Sequence, residues 1–246
     1  MGFETFFSKA ATLTALAAAT VLGGCDNLDV DIDTDGVPLA ELDMSGGAPS
    51  GVVLAGSDTV MITTGDEFDI DVEGTSGARD RMRFSFKDDA LVIHRENGDW
   101  SSDDGTATVN ITMPAPETLV MAGSGTMNTD GMAEKAEIVI AGSGTVTAAS
   151  IAATKMEVTV GGSGTLSASG TTRDLELNMA GSGKADMAGL QVDDAEVTIA
   201  GSGNAEFASD GKVHANLAGS GTVRVRGSAT CERKSIGSGE LICEDG

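Results

Sequence analysis

Basic and aromatic residues are scarce in this chain of 246 residues: 15 Lys and Arg stand against 38 Asp and Glu, with seven Phe, one Trp and no Tyr. Nucleic-acid binding rests on clustered cations that neutralise phosphates, so a formal net charge of −23 rules against such a partner. The shortage of aromatic rings leaves no stacking platform for single-stranded bases or sugars. Only four Pro and three Cys occur, and the length allows one or two domains. Glycine, by contrast, is abundant: 34 residues, roughly twice the usual 7% share, imply many tight turns. A hydrophobic content of 40% is enough for a core and argues against wholesale disorder.

Residues 1–24 read as an export signal. Lys9 is the one cation of the leader, opposed by Glu4, and residues 10–22 run apolar and small. A membrane-spanning helix needs about 20 apolar residues, whereas a signal-peptide core needs about 7–15. The run ends Leu22-Gly23-Gly24-Cys25, which resembles the lipobox of bacterial lipoproteins. That resemblance implies a diacylglyceryl group on the Cys25 thiol, cleavage in front of it, and anchoring to the membrane through the N-terminal lipid. Asp26 resembles an inner-membrane retention signal of enterobacterial lipoproteins. Other lineages do not follow that rule, so inner and outer membrane both stay open.

Setting Cys25 aside leaves Cys231 and Cys243, an even pair in an exported chain and so a disulfide candidate. Two buried free thiols are the alternative; neither Cys lies at zinc-ligand spacing from His or another Cys. Residues 25–37 form an acidic linker in which like charges repel and extend the chain. Within it, Asp31-x-Asp33-x-Asp35-Gly36 opens like a calcium loop of the EF-hand type. The twelfth position is Leu42 where a bidentate Glu is needed, and no helical pattern precedes the loop.

From about residue 38 the chain repeats. Gly-Ser-Gly begins at Gly123, Gly142, Gly162, Gly181, Gly201, Gly219 and Gly237, at intervals of 19, 20, 19, 20, 18 and 18. A fixed period near 20 marks a solenoid, and Ala55-Gly56-Ser57-Asp58-Thr59-Val60 reads as an earlier, degenerate copy. Around each motif apolar residues alternate: Ile138/Ile140 before and Val146/Ala148 after, Val158/Val160 and Leu166/Ala168, Val197/Ile199 and Ala205/Phe207. Period two means strands with one buried face. Each coil is therefore strand, glycine corner, strand and return segment, the glycines serving where the chain needs φ > 0 or close backbone approach. No apolar 3.6-residue period survives beyond a turn after residue 25, so no helix is expected. Cys231 and Cys243 fall six residues either side of Gly237, on inward-pointing positions of the last coil.

The recurrent Ala-Gly-Ser-Gly-Thr resembles the head GIN domain, described as an autotransporter adhesin head. Phe68-Asp69-Ile70-Asp71-Val72-Glu73-Gly74, Leu91-Val92-Ile93 and Lys234-Ser235-Ile236-Gly237-Ser238-Gly239 add to the likeness, which covers about residues 38–243. It implies a right-handed parallel β-helix-like fold in exported proteins, with no established activity and no catalytic residues to carry over. The adhesin description is itself an inference from architecture, and fold does not give function.

Two columns of side chains bear on chemistry. Five residues before each corner lie Glu137, Glu157, Glu176, Glu196, His214 and Glu232. In register, four carboxylates stack about 5 Å apart, where like charges repel. A bridging divalent cation or raised pKa values are one outcome; splaying into water, which leaves about 1 kcal/mol or less of repulsion, is the favoured one. The corner serines (Ser124, Ser143, Ser163, Ser182, Ser202, Ser220 and Ser238) lack a recurring base, because His94 and His214 are the only histidines. They read as a hydrogen-bonded structural ladder. Gly-Ser-Gly-Thr lacks the Lys and helix of a phosphate-binding loop, and Trp100 reads as a loop residue packed on the early coils.

The expected protein is all-β: a right-handed parallel β-helix-like solenoid over residues 38–246, with coils of about 18–20 residues. It needs no cofactor and belongs to the bacterial cell envelope. Its expected role is non-enzymatic, presenting a rigid surface to a glycan or an envelope-protein partner. A passive spacer is the alternative, and a polysaccharide-active β-helix enzyme a more distant one.

Overall fold

The computed structural model describes residues 36–96 and 105–244. Cys25, the linker through Asp35 and Trp100 lie outside them. A 3-10 turn (Leu39–Glu41) leads into β1 (Gly51–Gly56) and β2 (Thr59–Thr64), which flank the degenerate corner. Next come β3 (Asp69–Glu73), the short helix α1 (Ser76–Asp80), β4 (Met82–Lys87), β5 (Ala90–Arg95) and β6 (Thr108–Met113). The regular array begins at β7 (Thr118–Gly123), β8 (Thr126–Thr129) and β9 (Lys135–Gly142). Four long strands each run through a bend: β10 (Thr145–Gly162), β11 (Thr165–Gly181), β12 (Lys184–Gly201) and β13 (Asn204–Gly219). β14 (Thr222–Arg226) ends the coil of the Gly219 corner, and β15 (Thr230–Gly237) and β16 (Glu240–Glu244) form the last coil.

The array is a β-solenoid of about seven turns with parallel, stacked coils. Its register follows the motif: Gly56, Gly123, Gly142, Gly162, Gly181, Gly201, Gly219 and Gly237 are successive Cα partners. The alternating apolar residues point to a common axis. Ile138, Ile140, Val197, Ile199, Leu166, Phe207 and Val223 are all at most 1% exposed. Large and small side chains compensate along the tube, as with Leu166 before Ala168 and Ala205 before Phe207. Such interdigitation is how a narrow core reaches crystal-like density.

The corner ladder uses the serine main chain rather than the hydroxyl. Ser143, Ser182 and Ser202 each donate their amide to the first glycine carbonyl of the previous corner at 2.9 Å, while the side chains of these serines are exposed. The expected hydrogen-bonded ladder therefore exists, but it does not need serine as such.

Two features of the N-terminal coils escape the repeat pattern. β1 pairs in parallel with both β5 and β7, and β2 with both β6 and β8. The first coil in sequence is thus the second in space, with the β5–β6 coil laid over it. α1 also forms where no helix was expected. It spans only five residues, is nucleated by Thr75, whose Oγ1 accepts the Ala78 amide at 3.2 Å, and buries one side chain, Ala78. A capped single turn has no period to show in the sequence.

The solenoid is closed differently at its two ends. At the N-terminal end strand direction reverses: β3 runs antiparallel to β6, β4 antiparallel to β5, and Val37 bridges to Phe84. At the other end Cys231 and Cys243 are joined in a disulfide with Cα atoms 6.8 Å apart. They continue the inward columns of Val213 and Val225, as the spacing about Gly237 predicts. Closing a loop of this separation is worth about 2–3 kcal/mol. Replacing both cysteines by serine is expected to destabilise by that amount. Amide exchange should rise in β15 and β16 while β10 and β11 stay protected.

Candidate functional site

Three shallow concavities of the described surface lie along one outer groove. Its wall is the acidic column: Thr118, Glu137, Glu157, Glu176, Glu196, His214 and Glu232 stand in unbroken Cα register. The structure thus brings together all four predicted carboxylates, Glu137, Glu157, Glu176 and Glu196. Strand alternation puts a second column, two residues earlier, on the same face: Lys135, Lys155, Asp174, Asp194 and Lys212. This second column was not singled out in the sequence, although the period-two rule that found the glutamates predicts it.

Together the columns make a striped groove. Lys135 and Lys155 face Glu137 and Glu157 at one end; Lys212 and His214 lie near the other. Asp174, Glu176, Asp194 and Glu196 form the purely acidic centre. Lys155 pairs with Glu157 and reaches Glu176 at 3.8 Å, and His214 Nδ1 lies 3.2 Å from Glu232. The side chains of Glu157 and Glu176 are each 47% exposed, so solvent and Lys155 relieve their repulsion. Among the described residues no three His, Cys, Asp or Glu side chains converge tightly enough to hold a metal ion.

Glu137 differs from its neighbours. Burial, and then the charge of Glu157, raise its pKa above the usual carboxylate value. Because the folded state holds this proton more tightly, stability falls as pH rises from about 4.5 through the raised value. Glu137→Gln is therefore expected to raise the melting temperature at pH 7 by about 1–2 °C, discounted for partial exposure, and to leave it unchanged at pH 3. Thermal denaturation at the two pH values checks this.

Among the described residues neither histidine serves the corner serines as a base. His94 is buried, with Nδ1 3.1 Å from the Arg95 carbonyl, and His214 is engaged with Glu232. The degenerate corner holds a different surprise. Asp58 stands where later coils have their second motif glycine, and it is 1% exposed. Arg95 Nε donates to its Oδ2 at 2.7 Å, and the Ala107 amide donates to Oδ1 at 2.7 Å. The same guanidinium donates to the Gly105 carbonyl at 2.8 Å. This is a structural clamp joining the first two coils in space, and its signal in the sequence was the departure of Asp58 from the motif.

An in-register tube with continuous outer columns defines a repeat-built β-solenoid, a class that offers extended faces and grooves to partners. Within that class the chain belongs to the family described as "Putative auto-transporter adhesin, head GIN domain", which matches residues 48–229. No curated protein matches the chain. Among solved structures it is similar to a putative adhesin from Bacteroides fragilis NCTC 9343, at TM-score 0.72 and 18% identity over 80% of this chain and 92% of that one. It is also similar to a putative lipid binding protein from Parabacteroides distasonis ATCC 8503, at TM-score 0.64 and 18% identity, covering 80% and 93%. A putative adhesin from Parabacteroides merdae ATCC 43184 follows at TM-score 0.58 and 15% identity, covering 80% and 92%. At these identities the likeness speaks for the fold.

Proposed function

We propose that this protein is a lipid-anchored, non-enzymatic component of the bacterial envelope whose solenoid presents the striped groove to an extended partner, a glycan or an envelope protein. The observation that carries the reading is the groove itself: two charged columns in register, repeating about every 4.8 Å along a rigid tube. Such a lattice suits a repeating ligand better than a compact substrate. The serine hydroxyls without a histidine as base, and carboxylates repeated along a column rather than set as one opposed pair, favour binding over catalysis. The lipobox-like Leu22-Gly23-Gly24-Cys25 supports the anchor, and the family supports a place at the cell surface.

Two measurements test the reading. Acyl labelling of cells should mark the wild-type protein and not Cys25→Ser. A glycan array combined with crosslinking from intact cells should give capture that is lost in Glu176→Lys/Glu196→Lys. Absence of any capture would leave a spacer in place of a binder.

A further inference from the structure

The last coil is the open end of the solenoid. Among the described residues β15 pairs only with β13 and β16 only with β14, so the outer edges of both strands are unpaired. Ser238 and Glu240 donate their amides back to the Gly219 and Gly221 carbonyls, and Glu137, in the column of Glu232, donates its amide back to Glu117. Alternation along the strands therefore turns the main-chain groups of Cys231, Arg233, Leu241 and Cys243 to the free edge. Such edges are templates for a further strand.

The charges of this coil are divided by strand. Both bases, Arg233 and Lys234, lie on β15 with Glu232, whereas β16 carries Glu240 and Glu244 and no base. Glu232 lies 3.2 Å from His214 Nδ1, and Glu244 pairs with Arg224. Lys234 and Glu240 are both exposed and have no ion-pair partner among the described residues. Ile236, the next outward residue of β15 after Lys234, is 83% exposed, the most of any large apolar side chain described.

Cys231 and Cys243, joined across the tube, stand equally far along the chain from Gly237. A twofold axis through that corner, lying across the end of the tube, lays β15 of one copy along β16 of another. The two strands then run antiparallel, because β15 enters the corner and β16 leaves it. We propose that two copies join end to end in this way, as a closed dimer with the same contact made twice. Lys234 of each copy opposes Glu240 of the other at a position without ladder hydrogen bonds, where side chains come closest, with Cβ atoms about 4.5–5.5 Å apart. Arg233 faces Leu241 of the second copy and keeps its own Gly239 carbonyl, at 3.4 Å. Two guanidinium groups in the joined mouth keep the contact weak. Both free edges are used up, so the dimer does not grow further.

The chain enters the fold at Gly36, beside Arg83 and Phe84, at the other end of the sheet. With the Cys25 anchor of the proposed function, the dimer holds its two anchors at opposite ends of one rod, an arrangement that joins facing membranes. That consequence rests on the anchored reading; the dimer does not.

The core residues run from Leu39 to Leu241, so a chain starting at residue 26 keeps them all and serves for the test. Sedimentation velocity should show the average mass rising from monomer to dimer between about 10 and 500 µM, with added salt weakening the association. Lys234→Glu and Glu240→Lys, both at exposed positions, each set like charges against one another twice and should weaken dimerisation more than tenfold. Mixed, the two variants should regain association as a one-to-one dimer, because each glutamate then meets a lysine. Damage to the fold would not be repaired by mixing. Monomeric wild type at 500 µM, a variant that dimerises like wild type, a mixture that stays monomeric, or growth beyond the dimer would each overturn the proposal. The chain tested carries no lipid, so failure here leaves the anchor standing, and failure of acyl labelling leaves the dimer standing.

Discussion

Gly201→Ala is expected to destabilise the solenoid by more than about 3 kcal/mol. The backbone at Gly201 has φ +128°, and an added Cβ would lie 2.2 Å from the Gly181 carbonyl oxygen. That oxygen cannot yield, because it accepts the Ser202 amide at 2.9 Å and so belongs to the ladder that stacks one corner on the next. The substitution therefore forces two adjacent coils apart and strains a conformation L-residues rarely adopt. The melting temperature should fall by about 10 °C. In a repeat array, where each coil leans on its neighbours, unfolding should also lose cooperativity on either side of the damaged corner. Ser202→Ala, one residue away on an exposed side chain, is the control and should lie within about 0.5 kcal/mol of wild type.

Asp58→Ala is expected to cost about 3–5 kcal/mol. It takes from the Arg95 guanidinium, 4% exposed at its side chain, the carboxylate that accepts from it, and removes the acceptor of the buried Ala107 amide. The cost comes from removing the carboxylate that the buried guanidinium and the Ala107 amide share, not from the pair being a strong net attraction. The double variant Asp58→Leu/Arg95→Met should therefore recover the part of the loss due to the guanidinium but not the part due to the Ala107 amide, and denaturant titration of the two variants separates these contributions. Amide exchange in the single variant should rise first in β2 and β6, which the clamp ties together.

The regular half of the molecule was legible in the sequence because local and global demands coincide there. Ile138, Val158 and Val197 show the period, Gly142 to Gly237 show the spacing, and the predicted register of the glutamates follows from both. The N-terminal half was not. Which coil lies above which depends on the β1–β5 and β2–β6 pairings, contacts between segments tens of residues apart that no periodicity reports. Asp58 looked like decay of the motif; it is a replacement with a purpose that becomes visible only once Arg95 is placed beside it. In the groove, Glu176 and Glu196 were found as a column, while Asp174 and Asp194 were missed for want of applying the same alternation two residues earlier. Cys231 and Cys243 succeeded for the opposite reason: their symmetry about Gly237 is local and needs no tertiary knowledge.

The central claim is that the glycine corners stand in one straight column, one coil per motif. Spin labels on Ser124→Cys paired in turn with Ser202→Cys, Ser220→Cys and Ser238→Cys, in a Cys231→Ser/Cys243→Ser background, test it by electron-electron distance measurement. Four, five and six stacked coils predict backbone separations of about 19, 24 and 29 Å, rising by one strand spacing each time. Distances that fail to grow with the number of intervening motifs, or that scatter without a common increment, would contradict the stacked solenoid and with it the groove.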